Sequence, residues 1–347
     1  MRRRLLGVAL AILLGGAVVA ALVLGNQGSG VTVVRGVIGS EKKPFFEDPK
    51  VKASFAKHGL QVEVDTAGSR EIATSVDLGK YSFAFPSSAP AAEKIKKARG
   101  ATRTFAPFFS PMAVATFEPI VSTLTRAGVV SGTTFDIRRY LDLVAENTRW
   151  DGLPGSYKAR KRVLLTTTDI RTSNSAAMYL AMTSFVANGD DVIRGANARV
   201  AEKVAPLFLD QGYSESTSEA PFEDYLAMGM GKTPMIMIYE AQYAARLFAN
   251  DGTIGPEMRL LYPSPTVLSK HTLVPFDEDA NEVGRLLTED PEFAELAARY
   301  GFRTADPGVF AGLAQGTPLA QDLADVVEPP TYDHLEQLVA MIEERYL

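Results

Sequence analysis

The sequence contains no cysteine. Disulfides, thiolate metal sites and a lipid-modified cysteine anchor are therefore excluded. Histidine is scarce. His58, His271 and His334 are the three present, and no two stand at the spacing of metal ligands, so no metal and no cofactor are expected. Positive charge is in the minority. The net charge of −5 and the lack of a long basic run beyond the N-terminus exclude the footprint of a general nucleic-acid binder. A phosphate loop is also lacking. "GMGKTPMIMIYEAQY" (229–243) carries Gly-Lys-Thr, but the position of the loop's first glycine holds Leu226. Pro234 and the apolar run Met235–Ile238 then stand where a helix should open. That order reads as helix end, turn and buried strand.

An activated catalytic set is missing too. Ser40-Glu41-Lys42-Lys43 and Lys232-Thr233 match only the shortest fragments of a serine acyl-transfer motif. Pro44 follows the lysine, and Pro234 stands where that motif needs glycine. A binding protein is expected rather than an enzyme, with serine acyl transfer as the remote alternative.

The N-terminus has what the rest lacks, a long apolar run. Arg2, Arg3 and Arg4 precede an uncharged stretch from Leu5 to Gly25. About 20 apolar residues span a bilayer, and preceding arginines hold the N-terminus in the cytoplasm. A cleaved secretory signal has a shorter apolar core of about 7–15 residues, so one uncleaved transmembrane anchor is the reading preferred here. Either way the folded part is expected outside the cytoplasmic membrane, secreted if the segment is cleaved. Residues 1–30 form this anchor or signal with its spacer.

Beyond it, "VTVVRGVIGS", "LQVEVDTAGS" and "YSFAFPSS" read as strands separated by helical "DPKVKASFAKHG" and "REIATSVDLG". Strands and helices alternating at this spacing imply an α/β fold with a parallel sheet and crossover helices. Each strand ends in small polar residues, and in open α/β sheets ligands bind off the carboxyl ends of the strands. "TFAPFFSPMAVATFEP" (104–119) and "MRLLYPSPTVLSKHTLVPF" (258–276) are extended, apolar and broken by prolines, as crossings between lobes would be. Between them, "KRVLLTTTDIRTSNSAAMYLAMTSFVANG" reads as strand, loop and helix, with Val163–Leu165 entering a sheet and Ser173-Asn174-Ser175 capping the helix. Two crossings divide the chain into a first lobe of 31–113 with 263–347 and a second of 114–262. A hinged cleft lies between such lobes, and pockets favour that place.

The segments "GVIGSEKKPFF", "VDTAGSREIA", "FAFPSSAP", "TTTDIRTSNSAAMYLA", "MIMIYEAQY" and "LYPSPTVLSKHTLVPF", in this order, resemble the type 2 periplasmic solute-binding proteins, nearest the molybdate- and sulfate-binding kind. The resemblance runs from Val31 to about Arg303. It implies a two-lobed fold that holds a small polar or anionic solute between its lobes, for an ABC-type importer. Carried over segment by segment, it points to Gly39, Ser40, Gly68, Ser69, Arg70, Ser87 and Ser88 on the first lobe. On the second it points to Arg171, Thr172, Ser173, Asn174, Tyr239 and Glu240. Two features depart from an oxyanion site. Glu41 and Glu240 stand at or beside these loops, where a carboxylate repels an anion. Arg70 and Arg171 suit a carboxylate or phosphate partner, and a closed internal salt bridge would use the same residues. A membrane-anchored sensor or interaction module is the alternative to a transport role.

Overall fold

The computed structural model describes residues 31–212, 215–323 and 325–345. The segment read as an anchor lies outside them. Among the described residues no helix is long and apolar enough to cross a membrane.

Nine strands build the sheet, β1 (Thr32–Ile38), β2 (Leu60–Thr66), β3 (Phe83–Phe85), β4 (Phe105–Phe117), β5 (Val130–Ser131), β6 (Thr134–Asp136), β7 (Met235–Tyr239), β8 (Met258–Ser264) and β9 (Leu268–Pro275). Their order is β2-β1-β3-β9-β4-β8-β6-β5, with β7 also paired to β4. β1 runs parallel to β2 and β3, as the alternation of strands and helices predicts. β4 is the crossing. Its first half pairs with β9 (Phe109 opposite Lys270), and its second half pairs with β7 and β8 (Val114 opposite Met237 and Leu261). The return from β8 to β9 is the other crossing. Both proline-broken runs thus serve two cores.

Side-chain alternation along β1 and β3 explains why this part of the sheet is covered on both faces. Val34, Ile38, Phe83 and Phe85 join the core with Phe45, Phe55, Phe108 and Phe293, while Val37 and Ala84 join Ile72, Ala92 and Ile95. At Gly36 a side chain would fall on the Phe83 ring, so the strand pair needs glycine there.

The larger core surrounds the helix Asn174–Ala187, which buries 12 of its 14 residues and is therefore central rather than amphipathic. Two expectations change here. Val163–Leu165 form no strand. The segment meets β7 through one parallel bridge, Thr166 to Ile236. The C-terminal region does not return wholly to the first lobe. Phe310, Ala314 and Leu319 join the larger core, as do Leu335, Leu338, Val339 and Ile342 of the helix Tyr332–Glu343. Those four helical positions make one apolar stripe, which needs a partner surface.

Gly229–Gly231 form a short 3-10 turn after the helix Glu219–Met228, and β7 follows. Lys232 bonds Asp224 at 2.5 Å. The Gly-Lys-Thr stretch is thus a turn into a buried strand, as its context implied.

Candidate functional site

The carboxyl ends of β1 and β2 open into Gly39-Ser40 and Ala67-Gly68-Ser69. Across from them stand Ser173-Asn174, the segment Ser216–Ser218 and Tyr239, the last residue of β7. These elements enclose a cavity of about 10 Å³, close to the space of one water. Of the residues named from sequence, the structure brings together Gly39, Ser40, Gly68, Ser69, Ser173, Asn174 and Tyr239. Sequence reasoning missed Ser216, Thr217 and Ser218. Their signal was legible, because a run of hydroxyl residues immediately precedes the helix that opens at Glu219.

The lobes meet tightly. A side chain at Gly68 would come within 2.6 Å of the Thr172 carbonyl, so this approach requires glycine. The Asn174 amide donates to the Ser87 carbonyl at 3.1 Å and to the Tyr239 hydroxyl at 3.0 Å, joining both lobes. Ser173 occupies the cap position of the long buried helix but makes no capping bond. Its hydroxyl bonds those of Thr168 and Ser175 instead. The expected cap is therefore missing, and the first N–H groups of this helix are left without it beside the cavity.

Behind Ser40 lies a buried charged cluster. Lys42 is fully buried, with Nζ 2.5 Å from Glu41 Oε1, 2.9 Å from Ser87 Oγ and 3.1 Å from His271 Nδ1. Ser87 Oγ donates to Glu41 Oε1 as well. Burial by itself would raise the Glu41 carboxyl, but Lys42 and His271 outweigh it and hold the group well below the usual carboxylate range. Burial, aided by the Lys42 charge, pushes His271 down to about 4. His271 is therefore neutral at neutral pH. Its Nδ1 lies 3.1 Å from Lys42 Nζ and 3.4 Å from Glu41 Oε1, while Nε2 is buried with no partner among the described residues.

Six of the residues named from sequence do not line the cavity. Ser87 supports it from behind, through the cluster and through its N–H to Ser69 Oγ at 2.9 Å. Ser88 caps the helix Ala89–Arg99. Thr172 contributes its backbone to the lobe contact. Arg70 grips Glu336 with both terminal nitrogens and donates Nε–H to the Arg171 carbonyl at 3.0 Å. Arg171 Nε binds Asp169 at 2.9 Å. Glu240 is completely buried against Arg303, with Nε to Oε2 at 2.7 Å and a further bond from the Tyr262 hydroxyl at 2.5 Å. The three charged residues are thus in internal ion pairs. For the buried Arg70 and Glu240 the reason is electrostatic, since a charge withdrawn from water needs a partner more than a pocket, whereas Arg171 stays half exposed over the nearly buried Asp169. Nor do Ser40 and Lys43 form a nucleophile pair, because Lys43 reaches Glu47 at 3.7 Å.

A larger open groove of about 1120 Å³ lies between the helix Ala89–Arg99, Met178 of the long buried helix, Leu268 and Lys270 of β9, and residues 328–333. Ser88, Thr331 and Tyr332 bring hydroxyls to it, among several lysines and prolines. Among the described residues no cluster of His, Asp or Glu could hold a metal.

No protein-family model matches this chain, and no curated protein matches it. Solved structures do match in three dimensions. The sulfate-binding protein SubI from Mycobacterium tuberculosis H37Rv is 16% identical with a TM-score of 0.57, over 90% of this chain and 99% of that one. A periplasmic thiamin binding protein is 12% identical with a TM-score of 0.59, over 90% of this chain and 96% of its own. The substrate binding protein of an ABC transporter from Agrobacterium tumefaciens is 16% identical with a TM-score of 0.55, over 92% and 96%. By their names these are binding proteins, not enzymes. At such identities the likeness establishes the fold, and the chain has the α/β fold of the type 2 periplasmic binding proteins.

Proposed function

We propose that this protein binds a small polar solute between its two lobes, outside the cytoplasmic membrane, and delivers it to an ABC-type permease. The observation that carries this reading is the convergence of hydroxyl and amide groups from both lobes on one cavity at the strand ends. Ser40 and Ser69 come from one lobe, and Ser173, Asn174 and Tyr239 from the other. The fold alone leaves the ligand open, since its neighbours are named for sulfate and for thiamin, which differ in charge.

Calorimetric titration of the protein with sulfate, phosphate, thiamin, amino acids and sugars tests the proposal. One of these compounds should bind saturably. Ser40→Ala should then weaken that binding about 2–10-fold, the worth of one hydrogen bond. Ser40 is the cleaner choice, because the Ser69 hydroxyl already accepts from Ser87.

A second reading is a membrane-anchored sensor or interaction module. The protein's own contacts across the gap favour it, namely Arg70 to Glu336, Asn174 to Ser87 and Gly68 against Thr172. If no compound moves the melting temperature or the scattering radius, this reading replaces transport.

The location has its own test. A reporter fused after Leu347 should be active only outside the cytoplasm, as the arginines before the apolar run require. A cytoplasmically active fusion would refute it.

A further inference from the structure

We propose that the cavity is built for the protonated amino group of a small primary amine, with Glu41 as its acceptor. This deepens the solute-binding reading and rests on it.

The first observation is the charge inventory. Glu41 is the single charged residue lining the cavity among the described residues. The cations that a bound anion would need are engaged elsewhere. Arg70 faces Glu336, Arg171 faces Asp169, and Lys42 lies behind Glu41 rather than on the cavity wall. An oxyanion here would meet a carboxylate and no guanidinium or ammonium.

The second observation is the state of that carboxylate. The Glu41 side chain is only 7% exposed. Lys42 and Ser87 both engage Oε1. Oε2 has no hydrogen-bond partner among the described residues, although a carboxylate oxygen accepts two bonds. A nearly buried acceptor left open beside a cavity calls for a donor, and a charged donor is the stronger match.

The third observation is size. The cavity accommodates one water-sized group, which is the size of an ammonium head. The rest of the ligand needs room that the lobes give by parting. The opposite wall carries hydroxyls and the uncapped start of the helix Asn174–Ala187, which suit an oxygen on the same ligand. The substrate class is therefore a small amine that also carries a hydroxyl or carboxylate.

The test uses matched probes on the full chain. Ethanolamine is compared with ethylene glycol, and glycine with glycolate, with sulfate as the oxyanion control. At least one amine should bind, and its counterpart without nitrogen should bind about 10-fold more weakly or worse, the scale of a charged hydrogen bond. The double variant Glu41→Gln with Lys42→Met removes the buried pair together, so neither charge is stranded. It should weaken the amine by a similar factor. The probe comparison on the wild type stands even if that variant does not fold. Binding of sulfate or glycolate with none of either amine would overturn this inference and leave the solute-binding reading intact. An amine bound equally well by the double variant would also overturn it. Failure of every probe, together with the wider panel above, would overturn both.

Discussion

Arg303→Ala should lower the unfolding free energy by about 3–5 kcal/mol, the usual cost of stranding one member of a buried ion pair. Glu240 is completely buried, and Arg303 is its cationic partner through two nitrogens, at 2.7 and 2.9 Å. The guanidinium does more than pair. It donates to the carbonyls of Ala320 and Gln321 and lies 4.3 Å from the centre of the Phe310 ring. It thereby ties the helix that follows β7 to the C-terminal segment. The alanine variant leaves a buried carboxylate with only the Tyr262 hydroxyl in its favour. Glu240→Gln combined with Arg303→Met should recover much of the loss, because neither charge then remains. Urea denaturation of the three proteins gives the answer. A loss below about 1 kcal/mol for Arg303→Ala would mean that water reaches Glu240, contrary to its burial.

Lys42→Met should cost a similar amount, about 3–5 kcal/mol, by the same mechanism. It strips Glu41 of its buried ammonium partner while nearly preserving volume. The surrounding cluster also sets how stability depends on pH. His271 in the folded protein is pushed down to about 4 from an ordinary value of 6.5. Between those values the unfolded chain binds a proton that the folded one refuses. Stability is then full above about 6.5 and declines as the pH falls toward 4. The Glu41 carboxyl, held below its usual range, continues the decline at lower pH. Urea titrations from pH 8 to pH 4 should show this slope in the wild type, and His271→Asn should flatten it above pH 4.5. Lys42→Met should weaken it as well, since removing the Lys42 charge while keeping Glu41 makes His271 easier to protonate. A wild-type stability that stays level from pH 7 to pH 4 would contradict the burial and neutrality of His271.

The interlobe cavity was legible in part because its elements are local. A strand that ends in Gly-Ser or Ala-Gly-Ser sets the position of its own loop, and the parallel register of β1 and β2 places Gly39-Ser40 beside Gly68-Ser69. The Ser173 hydroxyl and the Asn174 amide stand at the opening of a helix whose apolar surround is itself visible in "AAMYLAMTSFV". Tyr239 follows from the buried strand that it ends, and Glu240 opens the helix that comes next. The two proline-broken runs announce the crossings for the same reason, since each is long, apolar and extended.

The roles of the charges were decided only in three dimensions. Arg70 finds Glu336 across 266 positions, Lys42 finds His271 across 229, and Glu240 finds Arg303 across 63. In sequence, Glu41, Lys42 and Lys43 form one short charged run beside a loop named for the ligand. In the fold the first two are buried together and the third is half exposed. Nothing in the local pattern separates them, because a charge is stabilised by whichever opposite group the fold brings within a few ångströms. Local propensity and periodicity act over a few residues, and so the sequence by itself determined β1 to β4 and β7 to β9 and the loops at Ser40, Ser69 and Ser173. It also set a strand at Val163–Leu165 that does not form, and it left out Ser216–Ser218. Desolvation and ion pairing act through space, and so only the tertiary structure decided which carboxylate faces the cavity and which is sealed inside.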